Sequence, residues 1–245
     1  MANLDVSAYN GAISHNNERF LFRAAMQDDA EELARMYAEI SVNKGNYHEK
    51  LEPGPEDFSK TGGMFIIHDK DSILEEMAKS RSLFGIIQSP DGCAAAMLWV
   101  SLDDPAFRTY KDTDNDALIF AREIIVRLNN IPHLTALLFY TVFRTLKTLG
   151  YTHSIGEVYK VLEYQDRDGT HHCGMLNERS FRSIMDNGAM HTGKNPVRET
   201  VVKSIPLIAL IEPQIVYFDY GIVLPTLEKK LEKLGIEIAF EGTNQ

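Results

Sequence analysis

Residues 117–151 hold the strongest local pattern in the chain. An apolar run, ALIFAREIIVRL (117–128), gives way to Asn129-Asn130, Pro132 and a long apolar stretch that closes on Gly150. The run reads as a buried strand, and the stretch after the turn as a helix with proline near its start and glycine at its end. A further strand, THSIGEVYKVL (152–162), follows the glycine. Strand, helix and strand in that order predict a crossover with both strands in one sheet.

The remaining segments fit around that unit. RFLFRAAM (19–26) reads as a short strand. Gln27-Asp28-Asp29 supplies capping residues, and AEELARMYAEI puts Ala30, Leu33, Met36, Tyr37 and Ile40 on one helical face. Residues 43–63 are rich in breakers and read as a loop, with a second helix near DSILEEMAKS. SLFGIIQ, the turn SPDG, and CAAAMLWVSL form a hairpin signal. After the crossover come a polar insert (163–175), a helix at about 176–187 stopping at Asn187-Gly188, and two strands near 196–203 and 205–212. The chain closes on QIVYFDYGI, LPTLEKKLEKLG and IEIAFE, a strand, an amphipathic helix and a strand. The expected architecture is mixed α/β: a central mixed sheet, antiparallel in its first half, flanked by helices and followed by a strand–helix–strand extension. The expected organisation is a flexible arm at 1–18, a domain at 19–212, and an extension at 213–245 packed on that domain or prolonging its sheet.

Charge narrows the function. With 35 acidic against 25 basic residues the formal net charge is −10, and no long basic run is present, which argues against a nucleic-acid partner. Cys93 and Cys173 are the two cysteines, far apart and in no CxxC pattern, which suits a reducing compartment. No stretch has the length of a membrane span and the N-terminus has no signal-peptide pattern, so the expectation is a soluble cytoplasmic protein.

Three features, in order and spacing, resemble the GNAT N-acetyltransferase superfamily over about residues 20–212. FRAAMQDDAEELARMYAEI is similar to the family's opening strand and helix. The crossover at 117–150 looks like its acetyl-CoA motif. LNERSFRSIMDNGAM looks like its late helix, with Asn177, Ser180 and Gly188 at the matching positions. The resemblance implies an N-acetyltransferase moving an acetyl or acyl group from acetyl-CoA, as co-substrate, to an amine of a small molecule or peptide. It implies that backbone N–H groups within Ile125, Val126, Arg127 and Leu128 polarise the thioester carbonyl. It implies further that Asn177 and Ser180 line the pantetheine arm.

The turn before the helix departs from the family pattern. Counting back from Gly150, the phosphate-binding turn falls on Asn130 to Thr135, with His133 and Thr135 at the glycine positions and Asn130 at the basic one. A helix N-terminus attracts a pyrophosphate through unpaired N–H groups and the helix dipole, and glycines let the phosphates approach. Here Asn130, His133 and Thr135 could offer side-chain donors beside Leu134, or could merely cap and pack the helix. The altered turn leaves two alternatives to the enzyme: a non-catalytic acyl-CoA or ligand-binding module, and a transferase using another acyl donor.

Acyl transfer to an amine needs a base for the ammonium proton and an acid for the leaving thiolate. Glu123 and Glu157 are the candidate bases. The competing reading, which the residue types favour, is a solvated charge or an ion pair with Arg122 or Arg127. The family's acid position is Ile184 here, so Tyr159 and Tyr164 are candidate substitutes, each also readable as a packed aromatic. Asp166, Asp168, His171, His172 and Cys173 cluster in the insert but lack zinc-ligand spacing, and the expectation is no metal and a polar loop. The flanking strands of the C-terminal helix would extend the sheet or pair with a second copy, giving a homodimer in the latter case.

Overall fold

The structure, a computed structural model, describes residues 4–40, 68–79, 81–102, 118–127, 133–165, 171–176, 178–193, 197–202 and 207–241. The strands are β1 (Asn10–His15), β2 (Glu18–Ala24), β3 (Ser82–Gln88), β4 (Ala94–Ser101), β5 (Leu118–Val126), β6 (His153–Gln165), β7 (His171–Leu176), β8 (Met190–His191), β9 (Arg198–Val202), β10 (Leu207–Asp219) and β11 (Glu237–Phe240). The helices are α1 (Ala30–Ile40), α2 (Lys70–Met77), α3 (Leu134–Thr148), α4 (Glu178–Asp186) and α5 (Tyr220–Lys233). The strands share one sheet in the order β11-β1-β2-β3-β4-β5-β6-β10-β8, with β7 on β6 and β9 on β10. Pairing is antiparallel except between β5 and β6. The expected mixed sheet, antiparallel first half and central crossover are all present.

Two layers of apolar side chains cover the sheet. One face carries α3 and α5 over Ile13, Phe20, Phe22, Leu83, Leu98 and Ile119. The other carries α1 and α2 over Phe84, Ile86, Met97, Trp99 and Ile125. Ala30, Leu33, Met36 and Tyr37 are all fully buried, as their helical spacing predicts. α3 ends where Gly150 turns left-handed at φ 93, and Tyr151 N–H then bonds back to the Leu146 carbonyl at 3.0 Å.

Three expectations are corrected. Residues 10–15, expected in a loose arm, form β1, paired to β2 on one side and β11 on the other. Tyr9 and Ile13 are buried there, and the Tyr9 hydroxyl meets Thr141 of α3 at 3.0 Å. The strands expected separately on either side of Pro213 are one strand, β10, with Pro213 opposite Tyr159. Its missing N–H is tolerated because β9 pairs only through Ile211 and β8 only from Val216, leaving that edge unclaimed among the described residues. The insert expected as a polar loop contributes strand at both ends, where β6 and β7 pair from Gln165↔His171 to Lys160↔Leu176. The C-terminal strand–helix–strand prolongs the sheet: α5 crosses the α3 face and delivers β11 to the edge beyond β1.

Candidate active site where two parallel strands separate

β5 and β6 pair only from Leu118↔His153 to Ala121↔Gly156. Beyond that point β5 stays on β4 and β6 stays on β10, so a gap opens between them. One extra residue accompanies the separation. Trp99 of β4 faces Glu123, while the next residue, Val100, faces Ala121, so Arg122 is the additional residue of a β-bulge.

The bulge resets which face each side chain takes. Ile119 and Ala121 lie in the α3 layer and Ile124 packs against it, whereas Ile125 lies in the α1/α2 layer. Arg122 and Glu123, although adjacent, both reach the α1/α2 face: Arg122 lies over the Trp99 ring at 3.8 Å, and Glu123 accepts a short hydrogen bond from the Tyr37 hydroxyl. His68 Nε2 stands 3.4 Å from the other Glu123 oxygen. Glu157 is directly opposite Ile215, which packs with Phe120 and Ile155, so it shares this face across the gap.

Tyr37 holds its proton firmly. Burial pushes the phenol well above the ordinary tyrosine range, and the charge and hydrogen bond of Glu123 add to the shift. It is therefore a fixed donor to the carboxylate. The Glu123 carboxylate has the Tyr37 hydroxyl as a hydrogen-bond donor, with His68 beside it at 3.4 Å. Arg122 has Glu76 at 3.6 Å. Arg127 bonds Glu39 at 2.7 and 2.8 Å, Glu32, and the Ala94 carbonyl at 3.1 Å. Burial opposes the Arg127 charge, but the two carboxylates outweigh it and raise its pKa. Arg127 clamps α1 to the end of β5.

The backbone of β5 has one edge toward the gap. Arg127 N–H donates to the Ala95 carbonyl at 2.9 Å, so it is engaged with β4 and unavailable to a ligand. Alternation along an antiparallel ladder then turns Ile125 toward β4 as well, and aims the N–H groups of Ile124 and Val126 at the edge β6 has left. Val126 is 36% exposed.

The other expected site residues are distributed as follows. Leu128, Asn130 and Asn177 lie outside the described residues, as do Asp166 and Asp168. Tyr159 continues β6, its side chain outside the described set. His133 precedes α3 at φ 59, the left-handed conformation that a glycine adopts without steric cost, and makes no side-chain cap hydrogen bond. Residue 133 thus has a glycine's backbone geometry without the glycine. Leu134 is buried in the α3 layer, and Thr135 is half-buried in the first turn. Ser180 is half-exposed on α4, and Ile184, at the family's acid position, is buried in the core. Sequence reading missed Tyr37 and His68 as site residues. They lie 86 and 55 positions from Glu123, and Tyr37 has the spacing of a core residue.

No protein-family model and no curated protein matches this sequence. Solved structures do match. An uncharacterised protein from Bacillus halodurans aligns over 93% of this chain and 98% of its own at 11% identity, with a TM-score of 0.53. An N-acetyltransferase from Staphylococcus aureus Mu50 aligns over 82% and 98% at 14% identity, TM-score 0.48. Mycobacterium smegmatis RimJ, in complex with CoA-disulfide, aligns over 92% and 94% at 13% identity, TM-score 0.49. The order of elements follows the resemblance read from the sequence: antiparallel half, crossover, late helix. The chain shares the fold of the Bacillus halodurans protein. Within it, the bulge and the strand separation sit on the crossover that the resemblance singled out. Among the described residues, no helix is long and apolar enough to cross a membrane, and no group of His, Cys, Asp and Glu is gathered that could hold a metal.

Proposed function

We propose that the chain is an acyltransferase that moves an acetyl group from acetyl-CoA to an amine of a small molecule or peptide. The observation that carries this reading is the separation of β5 from β6 beyond Ala121 and Gly156. It leaves backbone donors on the edge of β5 where an extended, amide-bearing thioester arm can pair, with carboxylates on the opposite face of the same strands. The residues fit the donor at that edge: Val126 N–H would polarise the thioester carbonyl, and Ser180 on α4 would line the arm.

The chemistry then divides between the faces. The amine nitrogen attacks the thioester carbon, a C–N bond forms, and the C–S bond breaks. Glu123, which accepts from Tyr37 with His68 beside it, takes the ammonium proton directly or through water, and Tyr159 is the candidate to return a proton to the thiolate. Glu157 is the alternative base. A fixed N–H aimed at the developing oxyanion contributes more than an equally strong contact to the ground state. Incubation with acetyl-CoA and an amine panel should release thiol in proportion to a consumed amine. Absence of both turnover and hydrolysis with every acceptor would remove the enzymatic reading.

A second reading has its own observation. Side chains at His133 and Thr135 occupy a turn where close phosphate approach favours glycine. This supports a module that binds an acyl-CoA without turning it over, or a transferase with a different acyl donor. CoA binding measured by calorimetry without thiol release selects the former.

A further inference from the structure

His68 immediately precedes Asp69, the residue that caps α2. The Asp69 carboxylate accepts from Ser72 N–H at 2.8 Å, and its carbonyl accepts from the Ser72 hydroxyl at 2.9 Å. The cap fixes the entry of the chain, and residue 68 lies over β4 and β5. Its ring packs 5.1 Å from that of Tyr37 and edge-on to Trp99 at 5.2 Å, and both of those side chains are fully buried. His68 Nε2 is itself buried, has no hydrogen-bond partner among the described residues, and stands 3.4 Å from Glu123 Oε1. The His68 side chain as a whole is 17% exposed, so solvent reaches it away from Nε2.

A buried ring nitrogen without a partner calls for a reason, because an unmet polar group costs stability. Packing does not supply one, since an apolar ring would fill the same space with nothing left unbonded. The surroundings of Glu123 do. Its Oε2 takes the Tyr37 hydroxyl, and that phenol is a donor alone, because burial and the Glu123 charge keep its proton in place. Arg122 is permanently charged and accepts nothing. Once an acyl donor and an amine fill the gap between β5 and β6, water on that side of Glu123 is displaced. A proton taken by Glu123 then needs another way out, and the imidazole joins this carboxylate, 11% exposed, to solvent.

We propose that His68 is a proton relay for Glu123, carrying away the proton that the carboxylate takes from the acceptor ammonium. An N–H bond of the ammonium breaks as the Glu123 O–H bond forms. That O–H bond breaks in turn as His68 Nε2–H forms, and the imidazolium releases a proton to solvent. Carboxylate and neutral ring are restored. His68 thus acts through Glu123, and the relay rests on the acyltransferase reading above. The other charged groups around the pair are Asp69 beside His68, Glu76 of α2 with Arg122 at 3.6 Å, and Glu157 across the gap. Hydrogen bonds from Ser72 hold Asp69 below the ordinary carboxylate range, and Tyr37 lies well above the ordinary tyrosine range. Histidine is the side-chain type that changes charge between about pH 5 and 8.

The test is the pH dependence of thiol release by the full chain, with acetyl-CoA and an amine the parent consumes, for the parent, His68→Gln and His68→Ala. In His68→Gln, kcat should fall about tenfold or more with KM little changed, a smaller loss than removal of the base itself. In the parent, kcat should decline as pH falls through the imidazole range, because a protonated ring accepts nothing. In His68→Gln that decline should move down to the carboxylate range. Free imidazole should restore part of the kcat lost in His68→Ala, in proportion to its neutral form, which a packing role for the ring would not require. Unchanged thermal unfolding verifies that the Gln variant folds, and the imidazole rescue is a readout that does not depend on it. A parent that turns over beside a His68→Gln variant with the same kcat and the same acid limb overturns the relay and leaves the acyltransferase reading intact. So does a loss confined to KM with no imidazole rescue. A parent that releases no thiol with any acceptor removes both.

Discussion

Glu123 shows how a residue's neighbours decide what it can do. A carboxylate on a strand between two arginines looks like half of an ion pair, yet Arg127 is clamped to Glu39, Arg122 has Glu76 at 3.6 Å, and a buried tyrosine donates to the carboxylate. Replacing Glu123 by Gln keeps the shape and removes the base. kcat should drop roughly 10²- to 10⁴-fold with KM little changed, as measured by thiol release. A loss below about threefold for Glu123→Gln and for Glu157→Gln alike would place the base elsewhere. A second residue-scale expectation concerns Asp29, which takes Arg23 at 2.7 and 2.9 Å and caps Met26 N–H at 2.7 Å. Burial alone would raise its pKa, but the Arg23 and Met26 hydrogen bonds outweigh it and leave it below the ordinary 3.8. A depressed folded-state pKa means the stabilisation is fully present above 3.8 and is lost as pH falls through the folded value. Asp29→Asn should therefore lower stability at neutral pH and flatten the acid limb of a denaturation series below about pH 4. An unchanged acid limb would contradict the pairing.

At the scale of elements, what was legible in the sequence was local. The α1 face, the β3–β4 hairpin and the β5–α3–β6 crossover each announce themselves within twenty to forty residues through periodicity, turn residues or a terminal glycine. β1 was overlooked although its signal was present. Asn16 and Asn17 both have positive φ, 49 and 65, and join His15 to Glu18 as the two-residue turn of a hairpin. The partner of β11 was not legible at all, because Ala12↔Ala239 pairs residues at opposite ends of the chain and no local pattern encodes that. Gly11 records the contact: a Cβ there would stand 2.2 Å from the Ala239 carbonyl and 2.3 Å from the Phe22 ring. Gly11→Ala should cost about 1–3 kcal/mol in chemical denaturation, the usual range for overpacking. A neutral result would mean that β11 does not lie against β1 in solution.

For the whole molecule, the sheet is a scaffold that puts different chemistry on its two faces. α1 and α2 cover the side with Tyr37, Glu123, Arg122 and Trp99, and α3 and α5 cover the other. The gap between β5 and β6 connects these faces, and a single inserted residue, Arg122, marks where they meet. The sequence located this junction through the crossover, but the bulge and the loss of pairing arise from three strands held together and leave no local trace. The candidate bases were named from the sequence because they are acidic residues on two adjacent strands. Tyr37 and His68 were not, because their role exists only once α1 and residue 68 are brought over β5. The most direct measurement is a crystal structure of the protein with acetyl-CoA. The expected result is the thioester carbonyl within hydrogen-bond distance of Val126 N–H, in the gap between β5 and β6, with Glu123 on the far face. Acetyl-CoA bound elsewhere, or β6 found paired to β5 along Ile124–Val126 with the gap closed, would contradict it.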